Sequence, residues 1–287
     1  MTFVDPRVAP RSAHQAECHE CAREGVGAFS YQPRLDAACY DAAQMKTAVG
    51  GAEADAPLPR PGPLAPGLAL IFDMDGVIVD SMPVHIAVWR EYLHSLGLDA
   101  AGIEDRIHGL KNEEIVLHFM GASADGQGVP EYADYQQDHG AAKERLYRET
   151  IGGRLADHLV PGIAAFLERM REMPMALASN AERANIDFVL DGAALRTFFR
   201  VIVDASEVAR AKPAPDLFLL AAGKLGVAPR NCIVFEDSPA GVIAARAAGM
   251  RVVGILTHAA ALKDVDFSAR HFQDRELDAW LTSQHAA

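Results

Sequence analysis

The chain has 287 residues, half of them hydrophobic, and a formal net charge of -12. That length holds a large core or a core with an inserted domain, and the acidic balance excludes nucleic acid and anionic membrane as main partners, since both need a basic footprint. No apolar run reaches the roughly 18 residues of a membrane span, residues Met1 to Glu20 lack the apolar stretch of a secretory signal, and four cysteines are no disulfide framework in so long a chain; a reducing cytoplasm is the expected setting.

Residues 1–66 differ from the rest. They hold eight of the sixteen prolines and three of the four cysteines, and they show no sustained helical or strand period. Gly50 to Pro63 has linker composition, and the whole segment is expected to be a disordered extension. His14, Cys18, His19, Cys21 and Cys39 imitate a zinc site, but one C-x-x-C without a second pair carries little weight. Met45 offers a second start ahead of the core.

From Leu68 the pattern alternates between strand and helix. Leu68-Ala69-Leu70-Ile71-Phe72-Asp73-Met74-Asp75 is an apolar run that ends in carboxylates, the mark of a buried parallel strand. Further strands are expected over 175–179, 201–204, 232–236 and 252–256. Helix-period stripes lie between them: Ile163, Phe166, Leu167 and Met170, then Phe218, Ala221, Ala222 and Leu225. Ser238-Pro239 reads as a helix start, an N-cap followed by proline in the first turn. This alternation predicts an α/β fold, a parallel sheet with helices on both faces.

One interval breaks the alternation. About a hundred residues separate the first two strands, far more than an ordinary crossover needs. Ile86, Trp89, Leu93 and Leu96 form one helical stripe, Ile115 and Phe119 another, and 131–151 reads as a long polar helix. Residues 82–158 are therefore expected to be an inserted α-helical cap, with 67–81 and 159–287 forming the core. Ser81-Met82-Pro83 and Leu159-Val160-Pro161-Gly162 are the expected hinges.

Ligands in open α/β sheets bind outside the carboxyl ends of the strands. Four such ends deliver polar residues: Asp73 and Asp75, Ser179 and Asn180, Lys212 beyond the third strand, and Glu236 with Asp237. Singly, Ser179 could be an N-cap, Lys212 a solvated side chain, and Glu236-Asp237 a turn; the combination is what is specific. Four carboxylates cannot ionise together in a crevice without a cation, and an all-oxygen donor set suits Mg²⁺. Asp73 could then attack phosphorus and form an aspartyl-phosphate. Asp75, on the same side of the strand, could serve the leaving oxygen, a contribution typically on the order of 10²–10⁴ in rate. Ser179 and Lys212 would hold phosphate oxygens.

Asp73-Met74-Asp75-Gly76-Val77, Ser179-Asn180-Ala181, Lys212-Pro213-Ala214-Pro215-Asp216 and Glu236-Asp237-Ser238-Pro239-Ala240-Gly241 resemble the four motifs of the haloacid dehalogenase-like superfamily. They are most similar to its branch with a helical cap after the first strand, that of β-phosphoglucomutase and many small-metabolite phosphatases. The resemblance covers about 67–260. It implies a Rossmann-like core, Mg²⁺, Asp73 as nucleophile and Asp75 as acid/base. It implies metal ligation by the Asp73 carboxylate, the Asp75 backbone carbonyl and Asp237, with Glu236 direct or through water. Substrate and phosphate contacts fall to Ser179, Asn180 and Lys212, with Lys111 and His85 as cap candidates.

The mutases of that branch carry an arginine in a cap loop. Here the stretch reads His108-Gly109-Leu110-Lys111-Asn112-Glu113, with asparagine in its place, and lysine does not replace a bidentate guanidinium. The leading expectation is thus a Mg²⁺-dependent phosphatase of small phosphorylated metabolites, sugar phosphates among them, working as a monomer with a dimer as the alternative. A β-phosphoglucomutase-like phosphomutase is the rival. A carbon–halogen hydrolase would not need an acid at Asp75, and a non-catalytic binding module would not need the whole set.

Overall fold

The computed structural model describes residues 67–106, 112–120 and 132–284. The order of elements is β1 (Ala69–Phe72), α1 (Met82–Ser95), α2 (Ile103–Arg106), α3 (Asn112–Met120), α4 (Tyr132–Gly152), α5 (Ile163–Arg169), β2 (Met175–Ser179), α6 (Arg183–Gly192), β3 (Val201–Asp204), α7 (Asp216–Leu225), β4 (Cys232–Glu236), α8 (Pro239–Ala247), β5 (Arg251–Ile255), β6 (Phe267–Ala269) and α9 (Arg275–Thr282). The strands form one parallel sheet in the order β3-β2-β1-β4-β5-β6. β1 is central because its residues are apolar on both faces. Leu70 and Phe72 face a cluster with Phe166, Leu167, Ile186 and Leu190. Ala69 and Ile71 face Leu217, Phe218, Ala221 and Ala245 on the other side. Across β1 and β4 the Phe72 and Phe235 rings stack at 4.6 Å.

The expected α/β architecture is therefore present. β5 begins one residue earlier than its apolar run suggested. β6 and α9 were not foreseen, since β6 is three residues long and α9 buries only Leu277 and Leu281. α8 starts as predicted: the Ser238 side chain accepts from the Gly241 amide, with Pro239 in the first turn.

α1 to α4 lie between β1 and α5. Trp89, Leu93, Ala100, Ile103, Ile115 and Val116 form an apolar cluster of their own. Leu96, assigned from periodicity to the α1 stripe, instead caps the helix and stays exposed. The chain enters and leaves this helical segment along one narrow track. Val79 bridges to Leu159 in antiparallel sense, Asp80 N donates to His158 O at 2.7 Å, and Val160 N donates to Ile78 O at 3.0 Å. The zinc-like group at 14–39, the expected extension 1–66 and Lys111 lie outside the described residues. Among the described residues no helix is long and apolar enough to cross a membrane.

The Phe72–Phe235 stack predicts a stability contrast. Phe72→Ala should lower the unfolding free energy by about 3–5 kcal/mol, whereas Ile243→Ala, at a position 57% exposed, should change it by less than about 0.5 kcal/mol. Urea denaturation of both variants measures the difference.

Candidate active site

Parallel strands in register set their carboxyl ends side by side. Phe72 pairs with Leu177 and Phe235, so the residues after β1, β2 and β4 reach one edge of the sheet. Asp73, Ser179 and Glu236 are all buried there. Asp73 N donates to Phe235 O at 3.0 Å, which extends the ladder by one bond and fixes where the first carboxylate begins.

Lys212 reaches this edge from the loop after β3. Its Nζ lies 2.9 Å from Asp73 Oδ1 and 2.7 Å from Glu236 Oε1, and 4.7 Å from the centre of the Phe218 ring. Burial pulls its pKa down, but the two carboxylates outweigh burial and hold it above the usual lysine range. The ammonium stays charged. Asn180 braces it from behind: its Oδ1 accepts from Lys212 N at 3.1 Å and its Nδ2 donates to Lys212 O at 3.4 Å. The Asn180 amide is thus engaged with the lysine main chain, where sequence reasoning had set it against phosphate. Ser179 Oγ accepts from Ala181 N at 3.2 Å.

The four carboxylates are in different states of satisfaction. Glu236 Oε2 accepts from Asp237 N, Ser238 N and Ser238 Oγ at 2.9, 2.9 and 3.0 Å. With Lys212 on Oε1, both of its oxygens are engaged. Burial raises the Glu236 carboxyl, opposed by Lys212. Asp237 is pushed up to about 9 by burial, then by Glu236, Asp73 and Asp75. Asp75 is raised to about 7, by burial first and the Asp73 charge next, against a hydrogen bond from Ser81 Oγ at 2.6 Å. Glu144 raises Asp75 further, and by more than Lys143 lowers it.

Two glycines make room for this crowd. Gly76 has φ +73°, and a Cβ there would lie 1.9 Å from Asp237 Oδ2; a Cβ on Gly241 would lie 1.7 Å from Glu236 Oε1. Thr257 Oγ1, two residues past β5, donates to Gly76 O at 2.5 Å and pins the loop.

Asp73, Glu236 and Asp237 can each bring an oxygen within 4.8 Å of the others. Oxygen-only donors, and an Asp237 whose carboxyl burial and then its acidic neighbours push up, fit a hard divalent cation. Asp73 and Asp237 are the carboxylates with oxygens left to give, because those of Glu236 are already occupied.

The cap candidates have partners of their own. The His85 ring stacks on Tyr147 at 4.0 Å, and Lys143 Nζ lies 2.6 Å from its Nδ1. Burial and then Lys143 lower His85 to about 3. Trp89 is fully buried in the helical cluster. Lys143, Glu144 and Tyr147 escaped sequence reasoning because α4 reads as uniformly polar, and periodicity does not tell a buried charge from a solvated one.

A family model for haloacid dehalogenase-like hydrolase matches residues 68–249. The chain belongs to the haloacid dehalogenase-like hydrolases. This hydrolase is 36% identical to the fructose-1-phosphate phosphatase YqaB of Escherichia coli K12, over 65% of this chain and 95% of that protein. It is 31% identical to the β-phosphoglucomutase of Bacillus subtilis, over 65% and 82% of the two. Its fold is similar to the crystal structure of β-phosphoglucomutase from Clostridium difficile, with a TM-score of 0.63 and 26% identity, covering 75% of this hydrolase and 96% of that chain.

Gly76→Ala should cost this hydrolase about 10²-fold or more in kcat/KM, because Asp237 must move by an ångström or more. A cooperative thermal melt should persist. Steady-state kinetics on any substrate the enzyme accepts, beside circular-dichroism melting, measure both.

Proposed function

We propose that this hydrolase is a Mg²⁺-dependent phosphatase of small phosphorylated metabolites, sugar phosphates among them, acting through an aspartyl-phosphate. The observation that carries the reading is Asp73: a buried carboxylate at the end of β1, held by Lys212, with Asp75 two residues on. Helices α1 to α4, within residues 82–158, are read as a cap over a core of 67–81 and 159–287. Similarity to a fructose-1-phosphate phosphatase supports the substrate class.

Ser179 and Lys212 hold the phosphate oxygens. An Asp73 oxygen attacks phosphorus while the bond to the ester oxygen breaks, and Asp75 hands a proton to the departing alcohol. Water then attacks the phosphorus of the acyl phosphate. Asp75 takes the proton from that water, phosphate leaves, and the Asp73 carboxylate is regenerated. Asp73, the Asp75 carbonyl and Asp237 would hold Mg²⁺, with Glu236, whose oxygens are already engaged, reaching it through water; the ion would supply the charge that lets a carboxylate approach a phosphate dianion. Lys212, at Asp73 Oδ1, adds its own positive charge to that screening.

Similarity to a β-phosphoglucomutase keeps a second reading in view. The two differ in what attacks the phosphoaspartate. An assay with β-glucose 1-phosphate and a bisphosphate primer separates them: free phosphate supports the phosphatase, and stoichiometric glucose 6-phosphate the mutase.

Asp73→Asn should abolish phosphate release from every phosphomonoester while the far-ultraviolet spectrum and melting profile stay close to those of the parent. Near-normal turnover would remove Asp73 as the attacking group. Excess chelator should stop turnover, and added Mg²⁺ should restore it; full activity in chelator would count against the metal-balanced site.

A further inference from the structure

The loop after β1 is held from two directions. Within the loop, Gly76 N donates to Val79 O and Ile78 N to Met74 O, each at 2.8 Å. From outside it, Gly76 O accepts from Thr257 Oγ1 at 2.5 Å, across 181 residues of sequence. β4 lies between β1 and β5 in the sheet, and Thr257 stands two residues past the end of β5. The Thr257–Gly76 bond therefore spans the carboxyl end of β4, where Glu236 and Asp237 emerge. Asp237 rests against the strut so formed: its Oδ2 fills the space that a Cβ at residue 76 would need, 1.9 Å from where that atom would lie. Gly76 also shares a peptide unit with the Asp75 carbonyl. The placement of one glycine thus governs two of the groups assigned above to a divalent ion. The loop holds that glycine at its N–H, and Thr257 holds it at its carbonyl.

We propose that Thr257 is a positioning residue for the divalent ion. Its hydroxyl fixes the Asp75-Gly76 main chain, and through Gly76 the Asp237 carboxylate, in the arrangement that binds the ion. The proposal rests on the Mg²⁺ reading above. A ligand group that is not held in advance must be ordered when the ion arrives, and that ordering is subtracted from the affinity. Groups that hold ligands in place are worth roughly 10–100-fold in metal affinity. The Thr257 hydroxyl is suited to this task because a carbonyl oxygen only accepts, so its hydrogen has one direction to point.

The test is direct ion binding, without turnover. Metal-stripped full-length protein is titrated with Mn²⁺, and the free ion is read by electron paramagnetic resonance. Asp237→Asn defines the site, because Mn²⁺ that this variant still binds is adventitious. Thr257→Val removes the hydroxyl at nearly constant volume and should raise the dissociation constant at the site about tenfold. Thr257→Ser keeps the donor and should restore the parent value. If the hydroxyl only braces the fold, Thr257→Val melts at a lower temperature without metal yet binds Mn²⁺ as the parent does, and that result overturns the proposal. An equal loss of affinity in Thr257→Val and Thr257→Ser overturns it too, since side-chain shape and not the donor would then be responsible. If Thr257→Val does not melt cooperatively, Thr257→Ala is titrated in its place against the same values. Failure of both to fold makes the hydroxyl a fold-holding group and overturns the proposal. A parent protein that binds no Mn²⁺, or whose binding survives Asp237→Asn unchanged, defeats the Mg²⁺ reading and this inference together.

Discussion

One ammonium group organises the site. Lys212 lies within 3 Å of both Asp73 and Glu236, at an edge where four acidic side chains converge. Burying carboxylates costs several kcal/mol each unless a cation or hydrogen-bond donors offset the loss of water. Lys212 offsets two of them, and the backbone after β4 satisfies the remaining oxygen of Glu236. What is left over falls on Asp75 and Asp237, whose proton affinities rise accordingly. Asp73, Glu236 and Asp237 can each bring an oxygen within 4.8 Å of the others, an acidic cluster that could hold a cation.

Backbone carries much of the rest. Asn180 grips the lysine main chain on both its N–H and its C=O, Thr257 holds the Gly76 carbonyl, and glycines at 76 and 241 keep side-chain volume out of the space that Asp237 and Glu236 occupy. These contacts decide where the acids point. Loops at strand ends can vary freely on the outside because the sheet fixes their roots.

Much of this was legible from residue order. Apolar runs of four or five residues announced β1 to β5, since a strand covered on both faces tolerates little else. The acids, the serine and the lysine followed, because parallel topology alone brings strand ends together. The tail of the sheet was not legible: β6 is too short for a pattern, and α9 buries only two leucines. Nor was the chemistry of α4. Lys143 and Glu144 look like any exposed pair, and only the approach of Asn112 from α3 and Asn185 from α6 reveals that they are enclosed. Asn180 shows a subtler gap, for its place in the sequence marked it as important without saying whether its amide faced a ligand or a neighbouring loop.

Val79 has a double allegiance. On one side it bridges to Asp75, and on the other to Leu159. The loop bearing the second aspartate and both passages to the inserted helices are thus laced into one three-ply ribbon. The strand-end loop that carries Asp75 and the two crossings into those helices therefore share one set of main-chain bonds, and neither can be re-routed without the other.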